Sequence, residues 1–284
     1  MFNDLDRPPL DEKFLRGRLV RPGSLWTQID VLAETPSTNA VVAAAATAGQ
    51  PEGLVVTAEY QSSGRGRLGR TWTTPAQSAV LMSVLLRPTA VEASRWPWLG
   101  LLVPLAVAAA VREVAEIPAQ VKWPNDVLVE NRKLAGILLE RVEGPAGGPV
   151  GGPAGGPAAV IGIGLNVTLR ESEKPHEAAT SLALEQAATT DRATVLAAVL
   201  RQLANRYRSW VEANGDPGVI LPEYRELSAT LGQQVRVELP DGTFLTGTAR
   251  DLADDGRLIV DTRDGVHQLA AGDVTHLRTT PPAT

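Results

Sequence analysis

The chain of 284 residues contains no cysteine. This absence excludes a disulfide framework, a thiolate zinc or iron–sulfur site and a cysteine nucleophile, and it is typical of a reducing compartment. Aromatic residues make up only 4% of the chain, and the formal net charge is −5. A globally basic nucleic-acid-binding protein is therefore not expected, although a local basic surface is compatible with an acidic average.

Targeting segments and long apolar runs are also scarce. The first twenty residues contain no apolar run flanked by basic residues, so the sequence has no recognisable secretory signal. An apolar, uncharged stretch at residues 96–111 contains Pro97, Gly100 and Pro104. It is shorter than the ~18–20 residues that a membrane span requires. We interpret it as a buried helix and expect a soluble, cytoplasmic protein.

The pattern of apolar residues predicts strands and helices in irregular alternation. Runs rich in β-branched residues predict strands at Gly53–Gln61, Ala79–Leu86, Val127–Val129, Ile137–Val142 and Ala159–Asn166. Helical periodicity or composition predicts helices at Thr38–Ala48, Leu99–Glu116 and Ala193–Val211. Because no regular βαβ rhythm is present, the α+β class is favoured over a doubly wound sheet.

Two breaks divide this pattern. Residues 144–157 read GPAGGPVGGPAGGP, whose period of four excludes collagen, and they predict a long flexible loop that acts as a solvated spacer within a hairpin. After residue 231, short alternating segments are separated by Asp-Gly pairs at 241–242, 255–256 and 264–265. Such pairs are strong hairpin signals, so the C-terminal part is predicted to be a small antiparallel barrel of the SH3-like kind. We therefore expect two domains, 1–228 and 229–284.

Lysine is the next scarce residue. Of the 27 basic residues only four are lysines, namely Lys13, Lys122, Lys133 and Lys174. Where arginine supplies nearly all positive charge, a lysine favours a position that needs a compact ammonium. Two of the four lie in one segment, residues 122–137, which begins KWPND and ends KLAGI. An ordinary hairpin with a Pro-Asn-Asp bend explains the same segment equally well.

Two glycine-containing segments could approach a ligand. Residues 64–72, GRGRLGRTW, which we call the arginine–glycine loop, combine three glycines with three arginines suited to phosphate or carboxylate. A flexible loop without a ligand, or a nucleic-acid-binding segment, would have the same composition, and neither standard phosphate-loop pattern matches. Residues 160–167, VIGIGLNV, predict a strand with one face bare, which indicates either a close ligand or tight packing.

Together these segments resemble the biotin protein ligase family. The family shares a GRGRxGRxW loop, a KWPND…KLxGI segment and a GxGxN strand, here at Gly64–Trp72, Lys122–Ile137 and Gly162–Asn166. Ser37-Thr38-Asn39 and Gln61 also match, and the resemblance extends over roughly residues 30 to 278. It implies a mixed-sheet catalytic domain like that of class II aminoacyl-tRNA synthetases, followed by an SH3-like β-barrel.

The resemblance also implies an activity. Such enzymes use ATP to convert biotin to biotinyl-5′-AMP, release pyrophosphate, and transfer biotin to one lysine of the biotin carboxyl carrier domain of a carboxylase. Mg²⁺ is expected with ATP, but no carboxylate cluster in the sequence indicates a metal cage, so the metal ligands are not assigned. The carrier domain is the expected partner, and neither DNA nor a membrane is expected.

The site residues that the resemblance implies fall into two overlapping sets. The biotin site would contain Ser37, Thr38, Asn39, Gln61, Gly64, Arg65, Gly66, Arg67, Lys133, Gly136 and Gly164. The ATP and adenylate site would contain Arg67, Arg70, Trp72, Asn125, Lys133 and Asn166. Lys133 and Arg67 are the expected catalytic residues, and residues 65–67 would close over biotin. Asp126 could orient the acceptor lysine, link to a metal or cap a turn, and no role is assigned to His176, His267 or His276.

Several questions stay open at this level. Some family members carry an N-terminal DNA-binding domain, but only 36 residues precede Ser37, so repressor activity is not expected. A lipoate or octanoate protein ligase, a nucleic-acid-binding module and an inactive paralogue are the competing interpretations. Retention of Lys133 and of all three loop arginines argues against the last of these. The oligomeric state is not predicted.

Overall fold

A seven-stranded mixed sheet forms the larger part of the computed structural model, which describes residues 7–145, 155–270 and 272–277. Its strands are β1 (Gln28–Leu32), β2 (Leu54–Ala58), β3 (Ala79–Leu86), β4 (Gln120–Lys122), β5 (Asp126–Val129), β6 (Arg132–Val142) and β7 (Ala158–Asn166). They lie in the order β1-β2-β3-β7-β6-β5-β4. Only β1 and β2 pair in parallel, and all other neighbours are antiparallel. The α+β prediction is confirmed.

Helices cover both faces of this sheet. They are α1 (Glu12–Leu19), α2 (Thr38–Thr47), α3 (Leu99–Val114), α4 (Arg192–Glu212) and α5 (Leu221–Leu227). On β2, Val56 is buried together with Val42 of α2, whereas its neighbour Val55 belongs to the core that contains α3 and α4. Because successive strand residues point to opposite faces, α2 lies on one face of the sheet and the pair α3 and α4 lies on the other.

Helix α3 is the most apolar part of the fold. By length and composition alone, the stretch Ala93–Val114 could cross a membrane, yet 67% of its most apolar window is buried inside the protein. It contacts α4 and β6, and most of its side chains belong to the main hydrophobic core. The sequence prediction of a buried helix is therefore confirmed.

The C-terminal residues form a second, antiparallel sheet. Its strands are β8 (Gln234–Glu238), β9 (Phe244–Leu252), β10 (Leu258–Thr262), β11 (Gly265–Leu269) and β12 (Asp273–His276), in the order β11-β10-β9-β8-β12. The hairpins predicted from the Asp-Gly pairs are present, and Gly242 and Gly256 both have φ near +80°, which glycine adopts without strain. The arrangement is consistent with a small SH3-like domain.

Two tryptophans of the larger sheet region hold the second sheet in place. Nε1 of Trp98 donates to the carbonyl of Asp254 at 2.9 Å, and Nε1 of Trp123 donates to the carbonyl of Gly256 at 3.3 Å. Both acceptors lie in the turn between β9 and β10. These contacts dock the second sheet against the first and bring the start of β12 to the rim of the cavity described below.

Five of these strands and helices were not predicted from the sequence, among them the short helix α5. Strands β1, β4 and β12 have five, three and four residues, which is too short for periodicity to be distinctive. Helix α1 is polar and buries only Leu15, and its start is set by Asp11, whose side chain accepts a hydrogen bond from the Phe14 N–H.

The predicted glycine- and proline-rich loop lies largely outside the described residues, which stop at 145 and resume at 155. The flanking strands are described, and β6 pairs antiparallel with β7 up to Val142 opposite Ala158. The hairpin predicted around the tract is therefore confirmed.

A half-buried histidine, His276, predicts pH-dependent stability. Nε2 of His276 lies 3.2 Å from Oγ1 of Thr230. Burial, assisted by the charge of Lys122, lowers the pKa of His276 from 6.5 to about 4. Between these values the unfolded chain binds a proton that the folded chain does not, so stability falls as the pH drops from about 6.5 towards 4. We expect His276→Gln to lose less stability than the wild type between pH 7.5 and pH 4.5, measured as the urea midpoint.

The matched control for this measurement is His267→Gln, which removes a histidine from β11, the strand at the opposite edge of the same sheet. An equal reduction of pH dependence in both variants would contradict a specific role for His276.

Candidate active site

A cavity of about 420 Å³ lies on the α2 face of the seven-stranded sheet. Its walls are the start of α2, the arginine–glycine loop, the exposed faces of β6 and β7, and the segment around His176. Gly272 and Asp273 of the second sheet complete the rim. The cavity therefore joins segments that are far apart in the sequence.

Nearly all residues that the sequence resemblance implied for the site line this cavity. The lining set contains Ser37, Thr38, Asn39, Gln61, Arg65, Gly66, Arg67, Arg70, Trp72, Asn125, Lys133, Gly136, Gly164 and Asn166. Gly64 is the exception. Its carbonyl accepts the backbone N–H of Trp72 at 2.9 Å, so it closes the base of the loop and does not line the cavity.

At one end of the cavity, the lining side chains Ser37, Thr38 and Gln61 are polar and uncharged. Ser37 is the N-cap residue of α2 and makes no side-chain capping bond, so its hydroxyl is free for a ligand. The backbone N–H and Oγ1 of Thr38 both donate to Oε1 of Gln61, at 2.7 and 3.0 Å. Oγ1 of Thr38 also lies 2.7 Å from Oγ of Ser83, which is fully buried. These contacts fix the orientation of several hydrogen-bonding groups at this end of the cavity.

The bare strand face is covered by an indole. A Cβ atom placed on Gly164 would lie 2.5 Å from Cε2 of Trp72, and one placed on Gly136 would lie 3.0 Å from Cζ3. Of the two interpretations of the glycine pattern, the structure shows tight packing: Trp72 covers Gly136 and Gly164, and Asn39 of α2 lies against Gly162. Nε1 of Trp72 and Oδ1 of Asn166 are buried with no hydrogen-bond partner among the described residues, which is a feature of polar atoms that await a ligand.

Lys133 is held from several sides. Its Nζ lies 2.7 Å from Oδ1 of Asp126 and 5.7 Å from the ring centre of Trp72. Its backbone N–H donates to the carbonyl of Ala178 at 2.6 Å, and its carbonyl accepts the N–H of Thr180 at 2.9 Å. An ammonium has three N–H donors, so Lys133 can keep Asp126 and still contact a ligand.

The arginines of the loop are each engaged by a different partner. Nη1 of Arg67 donates to Oδ1 of Asn125 at 3.1 Å, and Arg70 pairs with Asp273 at 2.5 Å. Burial lowers the pKa of Arg67 from its ordinary value, and the hydrogen bond that Arg70 donates to Asp273 raises the pKa of Arg70. With Arg65 and Lys133, the lining carries four cations against the carboxylates of Asp126 and Asp273. The cavity is suited to an anionic ligand.

Some site residues were missed or left unassigned at the sequence level. His176 and Asp273 line the cavity, and Ser83 lies directly behind Thr38. Burial, with the charges of Lys133 and Lys174, lowers the pKa of His176. No local pattern marks these residues, because tertiary packing alone brings them to the site.

Metal ligands are sparse in the described part of the chain. No group of three or more histidine or acidic residues there could hold an ion. The two carboxylates of the cavity are already paired with Lys133 and Arg70.

The contact between Gly164 and Trp72 can be tested directly. In Gly164→Ala the added methyl group would collide with the indole. Because Trp72 is in a loop and Gly164 is in a central strand, we expect the indole to move and the sheet to stay. If Trp72 contacts the adenylate, as the sequence resemblance implies, ATP affinity should fall about tenfold, consistent with the loss of one well-placed aromatic contact of ~1–3 kcal/mol, and tryptophan fluorescence should change. Titration of ATP into both proteins measures this.

Gly100→Ala is the control, because its Cβ would meet only Cδ2 of Leu139 at 4.0 Å. Unchanged ATP affinity in Gly164→Ala would contradict the assigned contact.

Comparison with known proteins assigns this chain to a family. The model of the biotin/lipoate A/B protein ligase family matches residues 31–148, and that of the biotin protein ligase C-terminal domain matches residues 230–277. The chain is 42% identical over 276 residues to a biotin–[acetyl-CoA-carboxylase] ligase of Mycobacterium tuberculosis, covering 96% of this chain and 97% of the relative. The chain therefore belongs to the biotin protein ligase family.

Solved structures agree with this assignment. The biotin protein ligase of Aquifex aeolicus in complex with biotin and ATP superposes with a TM-score of 0.70 and 27% identity, covering 89% of this chain and all of that one. The biotin protein ligase of Leishmania major in complex with biotinyl-5-AMP gives a TM-score of 0.57 and 25% identity, covering 86% of this chain and 99% of that one.

Proposed function

We propose that this protein is an ATP-dependent biotin protein ligase that forms biotinyl-5′-AMP and then transfers biotin to a lysine of a biotin carboxyl carrier domain. The observation that carries the proposal is that one cavity combines uncharged polar groups, at Thr38 and Gln61, with cationic groups, at Lys133 and Arg67. A cyclic urea fits the first set of groups, and a carboxylate beside phosphates fits the second.

Biotin recognition is assigned to the α2 end of the cavity. Hydroxyl and amide groups of Ser37, Thr38, Asn39 and Gln61 read the ureido ring, because each buried urea group left unpaired would cost ~1–3 kcal/mol. Apolar surface for the rest of the molecule comes from Leu138, which lies on the same face of β6 as Gly136 and lines the cavity. Gly136 and Gly164 have no side chains, so nothing projects from the strands into the cavity at these two positions.

Adenylation takes place at the cationic end. A carboxylate oxygen of biotin attacks the α-phosphorus of ATP, a new P–O bond forms, and the bond to the pyrophosphate oxygen breaks. Lys133 stabilises the charge that collects between the carboxylate and the α-phosphate. Arg67 and Arg70 contact the phosphates, whereas Trp72, Asn125 and Asn166 surround the adenylate.

Transfer uses the same cavity. The neutral amine of the acceptor lysine attacks the acyl carbon of the adenylate, an amide bond forms as the nitrogen gives up one proton to solvent, and AMP leaves with the electron pair of the broken C–O bond. Asp126 lies beside Lys133 and is placed to orient the incoming lysine. Closure of residues 65–67 keeps water from the adenylate until then.

Mg²⁺ is proposed to enter with ATP. Because the cavity carboxylates are already paired with cations, the donor set fits an ion carried mainly by the phosphates better than an ion in a protein cage. Such an ion would neutralise phosphate charge.

The remaining assignments extend this proposal. We divide the chain into a catalytic domain, 1–228, and a C-terminal domain, 229–284, which is supported by the change of sheet between β7 and β8. The acceptor is the biotin carboxyl carrier domain of an acyl-CoA carboxylase, and the location is cytoplasmic. The absence of a DNA partner stays a prediction.

Incubation with ATP, Mg²⁺ and either biotin or lipoate tests the proposal. Mass spectrometry should detect biotinyl-5′-AMP and no lipoyl adenylate. Formation of the lipoyl adenylate alone would assign the chain to lipoate ligation, and formation of neither would refute an adenylating function.

A further inference from the structure

Glu140 lies behind the polar end of the cavity, where it contacts the lining residues Asn39 and Arg65, but it has no role in the function proposed above. It follows Gly136 and Leu138 on the same face of β6, and the register places these three residues opposite Gly164, Gly162 and Val160. The side chain is 30% exposed. Its Oε2 atom accepts a hydrogen bond from Nδ2 of Asn39 at 2.6 Å and lies 3.2 Å from Nη2 of Arg65.

The first of these contacts fixes the orientation of an amide. Oδ1 of Asn39 accepts the hydroxyl of Ser83 at 2.5 Å and lies against Gly162, where a Cβ atom would collide with it. A carboxylate can only accept hydrogen bonds, so Glu140 requires the NH₂ group of Asn39 on its own side. The second N–H of that group and the second lone pair of Oδ1 then have defined positions for a ligand.

The second contact fixes the base of the arginine–glycine loop. Arg65 pairs with Thr71 across the loop, and the N–H of Gly66 donates to the carbonyl of Arg70 at 2.7 Å. The Arg65 side chain is 48% exposed, and ion pairs of this exposure contribute little to folding stability. The pair is therefore better suited to placing the loop than to stabilising the fold.

We infer that Glu140 is a positioning residue that couples the reading of the urea ring by Asn39 to the placement of the loop by Arg65. This inference rests on the proposed function. One carboxylate oxygen of Glu140 contacts both Asn39 and Arg65. A movement of either residue therefore shifts the carboxylate that the other residue contacts. Loss of the carboxylate lets the amide of Asn39 adopt either orientation and releases Arg65.

The test compares Glu140→Gln, Arg65→Gln and the double variant in the adenylation step. Glu140→Gln should raise the biotin KM about tenfold, with the ATP KM and kcat changed less than about twofold. Arg65→Gln should raise the biotin KM by a smaller factor. The double variant should match Glu140→Gln, because the effect of Arg65 passes through the carboxylate that is already absent.

Glu143→Gln is the matched control. Glu143 lies just beyond the end of β6, is 75% exposed and pairs with Arg141 at 3.1 Å, but makes no contact with Asn39. It should leave every kinetic constant unchanged. Direct biotin binding by calorimetry provides a second readout, and Arg65→Lys should restore part of the affinity that Arg65→Gln loses.

Three results would overturn the inference: a biotin KM in Glu140→Gln equal to that of Glu143→Gln, a fall in kcat without a change in KM, or multiplicative effects in the double variant. If Glu140→Gln does not fold, biotin affinity is compared among the wild type, Arg65→Lys and Arg65→Gln instead. Equal affinity in all three proteins would also overturn the inference. Failure of the proposed function is distinguishable, because wild-type protein would then form no biotinyl-5′-AMP.

Discussion

Lys133→Ala should reduce pyrophosphate release by about 10²- to 10³-fold, the usual cost of losing one preorganised donor at a developing charge. The ammonium of Lys133 lies beside Asp126 and close to the indole of Trp72, and no other lysine lines the cavity. Biotin binding should weaken much less, because the ureido end is untouched. Pyrophosphate release by purified variant and wild type measures the effect.

Folding should survive this change. The backbone of Lys133, not its side chain, makes the bonds to Ala178 and Thr180, and the side chain is 30% exposed. Lys13→Ala, on the surface of α1, is the control and should retain full turnover. A folded Lys133→Ala variant with near-normal pyrophosphate release would remove the assignment.

Arg67→Gly should convert the protein into a source of free biotinyl adenylate. Arg67 is the partly buried arginine of the loop and holds Asn125 at 3.1 Å, so its removal opens the wall between the adenylate and water. An acyl phosphate anhydride that escapes reacts with any exposed amine. We expect biotinylation of a bystander protein such as serum albumin to increase roughly tenfold or more, by analogy with lids that retain intermediates.

The measurement is a streptavidin blot of albumin incubated with enzyme, biotin and ATP. Arg263→Gly, an exposed residue of the β10–β11 turn, should give the wild-type background. If Arg67→Gly labels albumin no more than this control, Arg67 does not retain the intermediate.

Much of the fold was predictable because the residue pattern of many segments agrees with the burial that these segments have in the folded chain. The prediction for Ala79–Leu86 matches β3 to the residue, since every side chain of this strand is buried. Helix α4 is likewise close to its predicted limits, because its apolar stripe is long. Strand β4, by contrast, has three residues and is defined by its pairing with β5, which no local pattern can indicate.

The residues of the site also fall into two groups: those that the sequence indicates and those that only the fold brings to the site. Trp72, Lys133 and Asn166 belong to segments whose composition is unusual in itself, so sequence reasoning found them. Glu140 and Asp273 are single acidic residues in ordinary strands, and their importance comes from what the folded chain brings next to them. The glycines at 162 and 164 were recognised as a bare face, but their protein neighbours Asn39 and Trp72 could not be inferred from spacing.

The ion pair between Arg70 and Asp273 joins the loop to a strand near the other end of the chain. During synthesis the rim that Gly272 and Asp273 supply is therefore the last part of the cavity to be made. A nascent chain still lacking that rim would hold a cavity open on one side, so competence to retain the adenylate should arise only after β12 has been synthesised.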